Sequence, residues 1–240
     1  MRTLLTLGVL LLSGCTHPSV GTDIEGVWIN QSVIDLAAQG QPLNIHGTPL
    51  EWHIDTRAGK AQVRNGFEMS EGRLLLKSSN AWIVDYGGGD IDELQFDGKQ
   101  LIQATRQYVP QAVFSRPTES VETAENWVNT FVNTLNAAYM AGEWSIVEGA
   151  GKGTTATFTA QGRVSGLGQA DRYKLCLDGD CRSQGAGNET LFLGHAGTDD
   201  TWIFVRKGKQ LEIFQAVDTA QAGEIPQFTP GPRQWLLRKK

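Results

Sequence analysis

Two short stretches decide the fold: IEGVWIN, Ile24 to Asn30, and MAGEWSI, Met140 to Ile146. Each carries a glycine, one intervening residue and a tryptophan, so the chain begins the same kind of strand twice. The echo continues. LQFDGKQLIQATRQ, Leu94 to Gln107, and IFVRKGKQLEIFQAV, Ile203 to Val217, both place Gly-Lys-Gln-Leu at a hairpin turn between alternating strands. Each half then closes on an apolar run with an arginine, AVFSRP with Arg116 and QWLLRKK with Arg238. Three features in one order, at spacings of about 110–122 residues, imply a tandem duplication.

Within the halves the hydrophobic period is two. TTATFTAQGRVSGL, Thr154 to Leu167, alternates around an Ala-Gln-Gly turn, and Thr190 to Val217 reads as three strands. EWHIDTRAGKAQVRNG and MSEGRLLLKSSNAWIVDYGGGDIDELQF behave alike in the first half. Such alternation suits antiparallel strands with one face in the core. The 28 glycines fall between these runs as turn residues. Small units with many short strands lose their exposed edges by closing into barrels. The expected class is therefore all-β, two tandem small antiparallel barrels over 24–117 and 142–240, joined by one amphipathic helix within 118–141. The helix follows from Ala124, Trp127, Val128, Phe131, Val132, Leu135, Ala138 and Tyr139, spaced as one helical face. Ser120 or Thr123 would cap it, Gly142 would end it, and Asn126, Asn129, Asn133 and Asn136 form its polar side. A second, shorter helix is expected over Ser32 to Gln39, capped by Ser32 and stopped by Gly40, lying across the first barrel's mouth.

A glycine-x-tryptophan on the first strand with an arginine on the last resembles the kernel of lipocalin-like barrels. The resemblance implies that the arginine lies over the tryptophan and closes one barrel end, pairing Trp28 with Arg116 and Trp144 with Arg238. TFTAQGRVSG, Thr157 to Gly166, is similar to small bacterial envelope domains of the META/heat-shock-lipoprotein type.

The amino terminus gives an address. Arg2, the apolar run Leu4 to Leu12 and a small-residue ending form a secretory signal over 1–14. The run is far short of the roughly 20 residues of a membrane span. Leu12-Ser13-Gly14-Cys15 resembles the bacterial lipobox. That resemblance implies cleavage before Cys15, acylation of Cys15, and a lipid-anchored tether over 15–23. Thr16, where an aspartate would imply inner-membrane retention, points to the outer membrane and a periplasm-facing protein.

An oxidising compartment makes Cys176 and Cys181 a disulfide before anything else. They flank Leu177-Asp178-Gly179-Asp180, and Asp-Gly signals a hairpin turn whose facing residues sit within bridging distance. A redox centre would more often have two intervening residues, and a zinc site would need further soft ligands beside His195.

The net charge of −5 speaks against a nucleic-acid partner. EGAGKGTT, Glu148 to Thr155, lacks phosphate-loop spacing and reads as a Gly-rich hairpin. The carboxylates of DYGGGDIDE, Asp85 to Glu93, lack the order of a calcium loop and read as a solvated turn. His46, His53 and Asp55 form too loose a group for a metal. No catalytic residues, metal or cofactor are therefore expected. The expected function is a non-catalytic binding or accessory module of the cell envelope, whose partners are the membrane and an envelope protein complex. The rival readings are a lipocalin-like carrier of a small apolar ligand and an envelope hydrolase.

Overall fold

The structure, a computed structural model, describes residues 24–43, 45, 47–107, 109–118 and 129–240. The expected signal, Cys15, the tether, His46, and the front half of the linker helix with Ser120, Thr123, Ala124, Asn126, Trp127 and Val128 lie outside them. The chain is all-β with two barrels. The first is closed by eight antiparallel strands in sequence order: β1 (Gly26–Asn30), β2 (Glu51–Asp55), β3 (Lys60–Arg64), β4 (Met69–Ser78), β5 (Ala81–Gly87), β6 (Asp90–Phe96), β7 (Leu101–Gln103) and β8 (Ala112–Ser115).

The second sheet repeats that order with β9 (Gly142–Gly149), β10 (Thr155–Phe158), β11 (Val164–Ser165), β12 (Arg172–Leu175), β13 (Glu189–His195), β14 (Thr198–Lys207), β15 (Gln210–Asp218) and β16 (Phe228–Lys239). β9 pairs with β16 as β1 pairs with β8. The barrel is nearly closed, because a bridge between Arg163 and Arg172 and the Val164 N–H on the Asp171 carbonyl, 3.2 Å, draw β11 to β12. Both Gly-Lys-Gln-Leu segments sit at the expected hairpins, β6 to β7 and β14 to β15.

The two tryptophans occupy matching places. Trp28 Nε1 donates to the carbonyl of Ile24 and Trp144 Nε1 to that of Met140, both at 2.9 Å and four residues back. The Arg116 guanidinium lies 3.9 Å above the Trp28 ring, as the lipocalin resemblance implies. The second pairing differs. Trp144 is faced by Lys239 at 5.6 Å and by Arg206 at 5.3 Å, while Arg238 is exposed. The cause is strand parity. Trp235 and Leu237 point into the barrel, so the next inward position is Lys239 rather than Arg238. Trp28, Trp52, Trp82 and Phe114 fill the first interior; Trp144, Phe158, Phe204 and Leu237 fill the second.

Helix α1 (Gln31–Ala38) follows β1 at the end opposite Trp28. Its cap is Asn30, whose side-chain oxygen accepts the Val33 N–H at 3.3 Å, two residues before the expected Ser32. Gly40 ends it at φ +70°, and a Cβ there would stand 2.7 Å from the Gly208 backbone. Helix α2 (Thr130–Tyr139) leads into β9. Val33, Ile34, Ala37, Leu43 and Ile45 pack with Phe131, Leu135 and Tyr139 into one apolar cluster continuous with the second barrel's core. The open end of the first barrel thus meets the Trp144 end of the second, with α1 and α2 between them.

The Trp plug sets the strand order at one end of each barrel, so its loss should be expensive. Trp28→Ala should cost about 3–5 kcal/mol in urea unfolding, as buried aromatic truncations do. Arg116→Ala should cost only about 0.5–1 kcal/mol, the worth of an exposed cation over a ring. Equal costs would mean that the guanidinium, not the ring, holds the end.

Candidate functional site

The open end of the first barrel holds a cavity of about 370 Å³. Its walls come from the ends of β3 to β6, the segment after β7 and the stretch after α1, including Gly47, Pro49, Asn65, Glu68, Tyr86 and Asp92. Strand alternation supplies the floor. Leu94 and Phe96 face inward on β6, so Asp92 does too, and it is 3 % exposed. Between Asp85 and Gly87 the β5–β6 register slips by one residue, and this bulge leaves Tyr86 to lean over the mouth.

These residues form a hydrogen-bonded chain. The Tyr86 hydroxyl donates to Asp92 Oδ2 and Gln103 Nε2 donates to Asp92 Oδ1, both at 2.8 Å. Trp52 Nε1 donates in turn to Gln103 Oε1 at 3.2 Å, which carries the chain into the core. Arg106 brings Nε to 3.5 Å from Asp92 Oδ1 and donates from Nη1 to Asp90 at 2.8 Å. The two oxygens of this buried carboxylate thus accept from Tyr86 and Gln103, with Arg106 beside them. Burial and the neighbouring Asp92 charge push the Tyr86 phenol well above its ordinary range, so it stays a donor. With Glu71 paired to Lys60, the Glu68, Asp90 and Asp92 carboxylates against Arg106 leave the mouth with an excess of negative charge.

The DYGGGDIDE run is therefore split by the pleat. Asp90 and Asp92 reach the mouth, whereas Asp85 pairs with Arg73 and Glu93 with Lys77 outside the barrel. Asp55 shares the outer face of β2 with His53 and accepts the Arg57 and Ala58 N–H groups of a turn. The EGAGKGTT run is the β9–β10 hairpin, with Gly149, Gly151 and Gly153 at positive φ. Among the described residues no group of three or more His, Cys, Asp or Glu is arranged to hold a metal.

Cys176 and Cys181 are bonded to each other, with Cα atoms 5.9 Å apart. The bridge does not cross a hairpin. It ties the residue after β12 to the first turn of helix α3 (Asp180–Gln184), because the chain turns at Gly179 into a helix instead of a returning strand.

Two buried groups, Glu51 and Arg206, and the half-buried Glu189 carry no signal in the sequence. Glu51 begins β2 on its outer face, beneath the start of α2, and is fully buried. Arg206 alternates with Phe204 and lies between Tyr139 and Trp144, with Nη1 unpartnered. Glu189 accepts from the Leu43 N–H at 2.8 Å and from Tyr139, tying the two barrels together. Burial pushes its carboxyl up, against those two hydrogen bonds.

No family profile, curated protein or solved structure matches the chain.

Burial pushes the Glu51 carboxyl from 4.5 up to about 8, with Arg64 and the Phe131 N–H opposing. Neither oxygen has a hydrogen bond of good geometry. The folded chain then keeps a proton that the unfolded chain releases from pH 4.5 upward. Its stability is full below that pH and falls as pH rises toward 8. Glu51→Gln imitates the neutral acid, so its Tm by circular dichroism should exceed that of the wild type by several degrees at pH 8 and match it at pH 4. An equal difference at both pH values would assign the effect to packing.

Proposed function

We propose that the chain is a non-catalytic binding module of the bacterial envelope. It is held to the outer membrane through acylated Cys15, faces the periplasm, and binds its ligand at the mouth of the first barrel. The observation that carries this is the half-enclosed polar cavity above a barrel whose interior is otherwise packed with Trp52, Trp82 and Phe114. The mouths of β-barrels are a recurrent position for ligand sites. Asp92 is held as an oriented acceptor by Tyr86 and Gln103, and the excess of carboxylates favours a small polar ligand that carries an ammonium group. The Leu12-Ser13-Gly14-Cys15 sequence and the disulfide support the envelope address.

The carrier reading asks for an apolar interior space, and the polar lining of this cavity favours the ammonium ligand instead. Four carboxylates in one cleft are what the hydrolase reading asks for. General acid catalysis, however, needs a carboxyl held protonated near neutral pH. Lys60 and Gln62 hold Glu71 below its ordinary range, and the Asp92 oxygens are occupied by donors. The binding reading uses these groups as they stand.

The test is an NMR titration of a soluble Cys15→Ser form with three probes: butylammonium, butyrate and hexanol. Butylammonium should shift the amides of 86–92 and 103–106, and Asp92→Asn should abolish the response. Shifts from hexanol alone, spread over the interior strands, would turn the reading to the apolar carrier. For the address, Cys15→Ser should move the full-length protein from the membrane to the soluble fraction. Retention in the membrane would overturn the lipid anchor.

A further inference from the structure

The loop inside the disulfide does more than close on itself. Leu177 and Asp178, between the two cysteines, are each 7 % exposed although they belong to no strand or helix. What covers them is the first barrel. Asp178 Oδ2 accepts the Gly47 N–H at 2.8 Å, while its Oδ1 accepts the Gly179 N–H at 2.8 Å. The Cβ atoms of Leu177 and Asp178 press on Gly66, where an added Cβ would stand 2.8 Å from either. Gly179, at φ +74°, lies directly under the Phe67 ring, and no side chain fits between them. One helical turn on, Arg182 Nη1 donates to the Leu43 carbonyl at 3.2 Å.

Both receiving segments belong to the cavity. Gly47, Pro49 and Asn65 line it, and Gly47, Gly66 and Phe67 take the loop. The loop therefore grips the rim of the mouth described above. The disulfide fixes its shape: Cys176 anchors one end to β12, and Cys181 anchors the other to α3. Without the bond, the loop's ordering rests on a five-residue helix too short to be stable alone.

We infer that the Cys176–Cys181 loop is a redox-controlled latch that holds the second barrel over the mouth of the first. Reduction needs a dithiol, either a small molecule or a dithiol protein. Its thiolate attacks Cys181 Sγ, which is more exposed than Cys176, and the S–S bond breaks as Cys176 leaves as a thiolate and takes up a proton. The second thiol of the reductant displaces Cys181 from the mixed disulfide. Two electrons and two protons pass to the protein, and the reductant ends as a disulfide. The freed loop gains conformational entropy. Asp178 then leaves Gly47, and the rim formed by residues 47–50 and 65–68 opens. This control of access rests on the mouth being the binding site; the latch itself does not.

Hydrogen–deuterium exchange on the soluble Cys15→Ser form, without ligand, tests the latch. The oxidised protein is compared with protein reduced by dithiothreitol and thiol-blocked, and with Cys176→Ser/Cys181→Ser. Reduction should lower protection in 47–50 and 65–68 by about tenfold or more while β13 to β16 stay protected, the pattern of a local opening. Asp178→Ala, with the disulfide intact, should reproduce the loss at Gly47. Unchanged protection on reduction overturns the latch. Loss throughout the second barrel also overturns it, because the bond would then be a staple of that fold. Butylammonium titrated into both redox states separates the two readings. Binding in neither state sinks the mouth as a site but leaves the exchange result standing.

Discussion

Each barrel depends on a tryptophan that is locked from both sides. The indole N–H is spent on a carbonyl four residues back, and one or two cations lie near the ring. That arrangement plugs one end of the barrel with the largest side chain available and satisfies its only polar atom. Everything else follows from the plug being at one end. In the first barrel apolar residues pack around the tryptophan, and the buried Asp92 and Gln103 lie toward the open end. The Asp92–Gln103–Trp52 chain marks that change along three strands, running from solvent at the mouth to an indole in the core.

The plug also orders the two barrels. An end closed by Trp144, Arg206 and Lys239 is flat enough to be covered, and α1 and α2 cover it from the open side of the first barrel. The cost is visible in the polar groups trapped there. Arg206 sits in the seam with an unpartnered Nη1, and burial lowers its pKa. Glu51 meets the amino-terminal end of α2, which has no side-chain cap of its own, yet it finds no ideal hydrogen bond. Buried polar groups of this kind add little stability, because their desolvation offsets what their partners return.

The sequence carried the parts of this that are periodic. Strand alternation, the repeated Gly-x-Trp, and the two Gly-Lys-Gln-Leu turns were legible because each is a local pattern with a local physical cause. Arg238 misled because the repeat was matched by residue type, whereas the pleat decides which of two adjacent cations faces inward. Asp92 was legible in principle, since it alternates with Leu94 and Phe96 in DIDELQF, but among neighbouring acids it looked like one more solvated charge. Glu51, Arg206 and Asp178 were not legible at all. Glu51 and Arg206 take their roles from α2 and the groups it brings near them, and Asp178 takes its role from the first barrel, 131 residues away in the Asp178–Gly47 pair.

The disulfide shows how a short-range bond acquires a long-range role. A bridge over five residues excludes little chain entropy from the unfolded state, so as a staple for the whole barrel it is weak. Its loop, like Glu189 on β13, lets a carboxylate of the second barrel accept a backbone N–H from the segment after α1. A carboxylate that accepts from Gly47 and Gly179 at once must be held in one orientation. Rigidity of a six-residue loop is what a small ring provides most cheaply. The cysteines are therefore placed where they constrain the docking of two barrels far more than the folding of one.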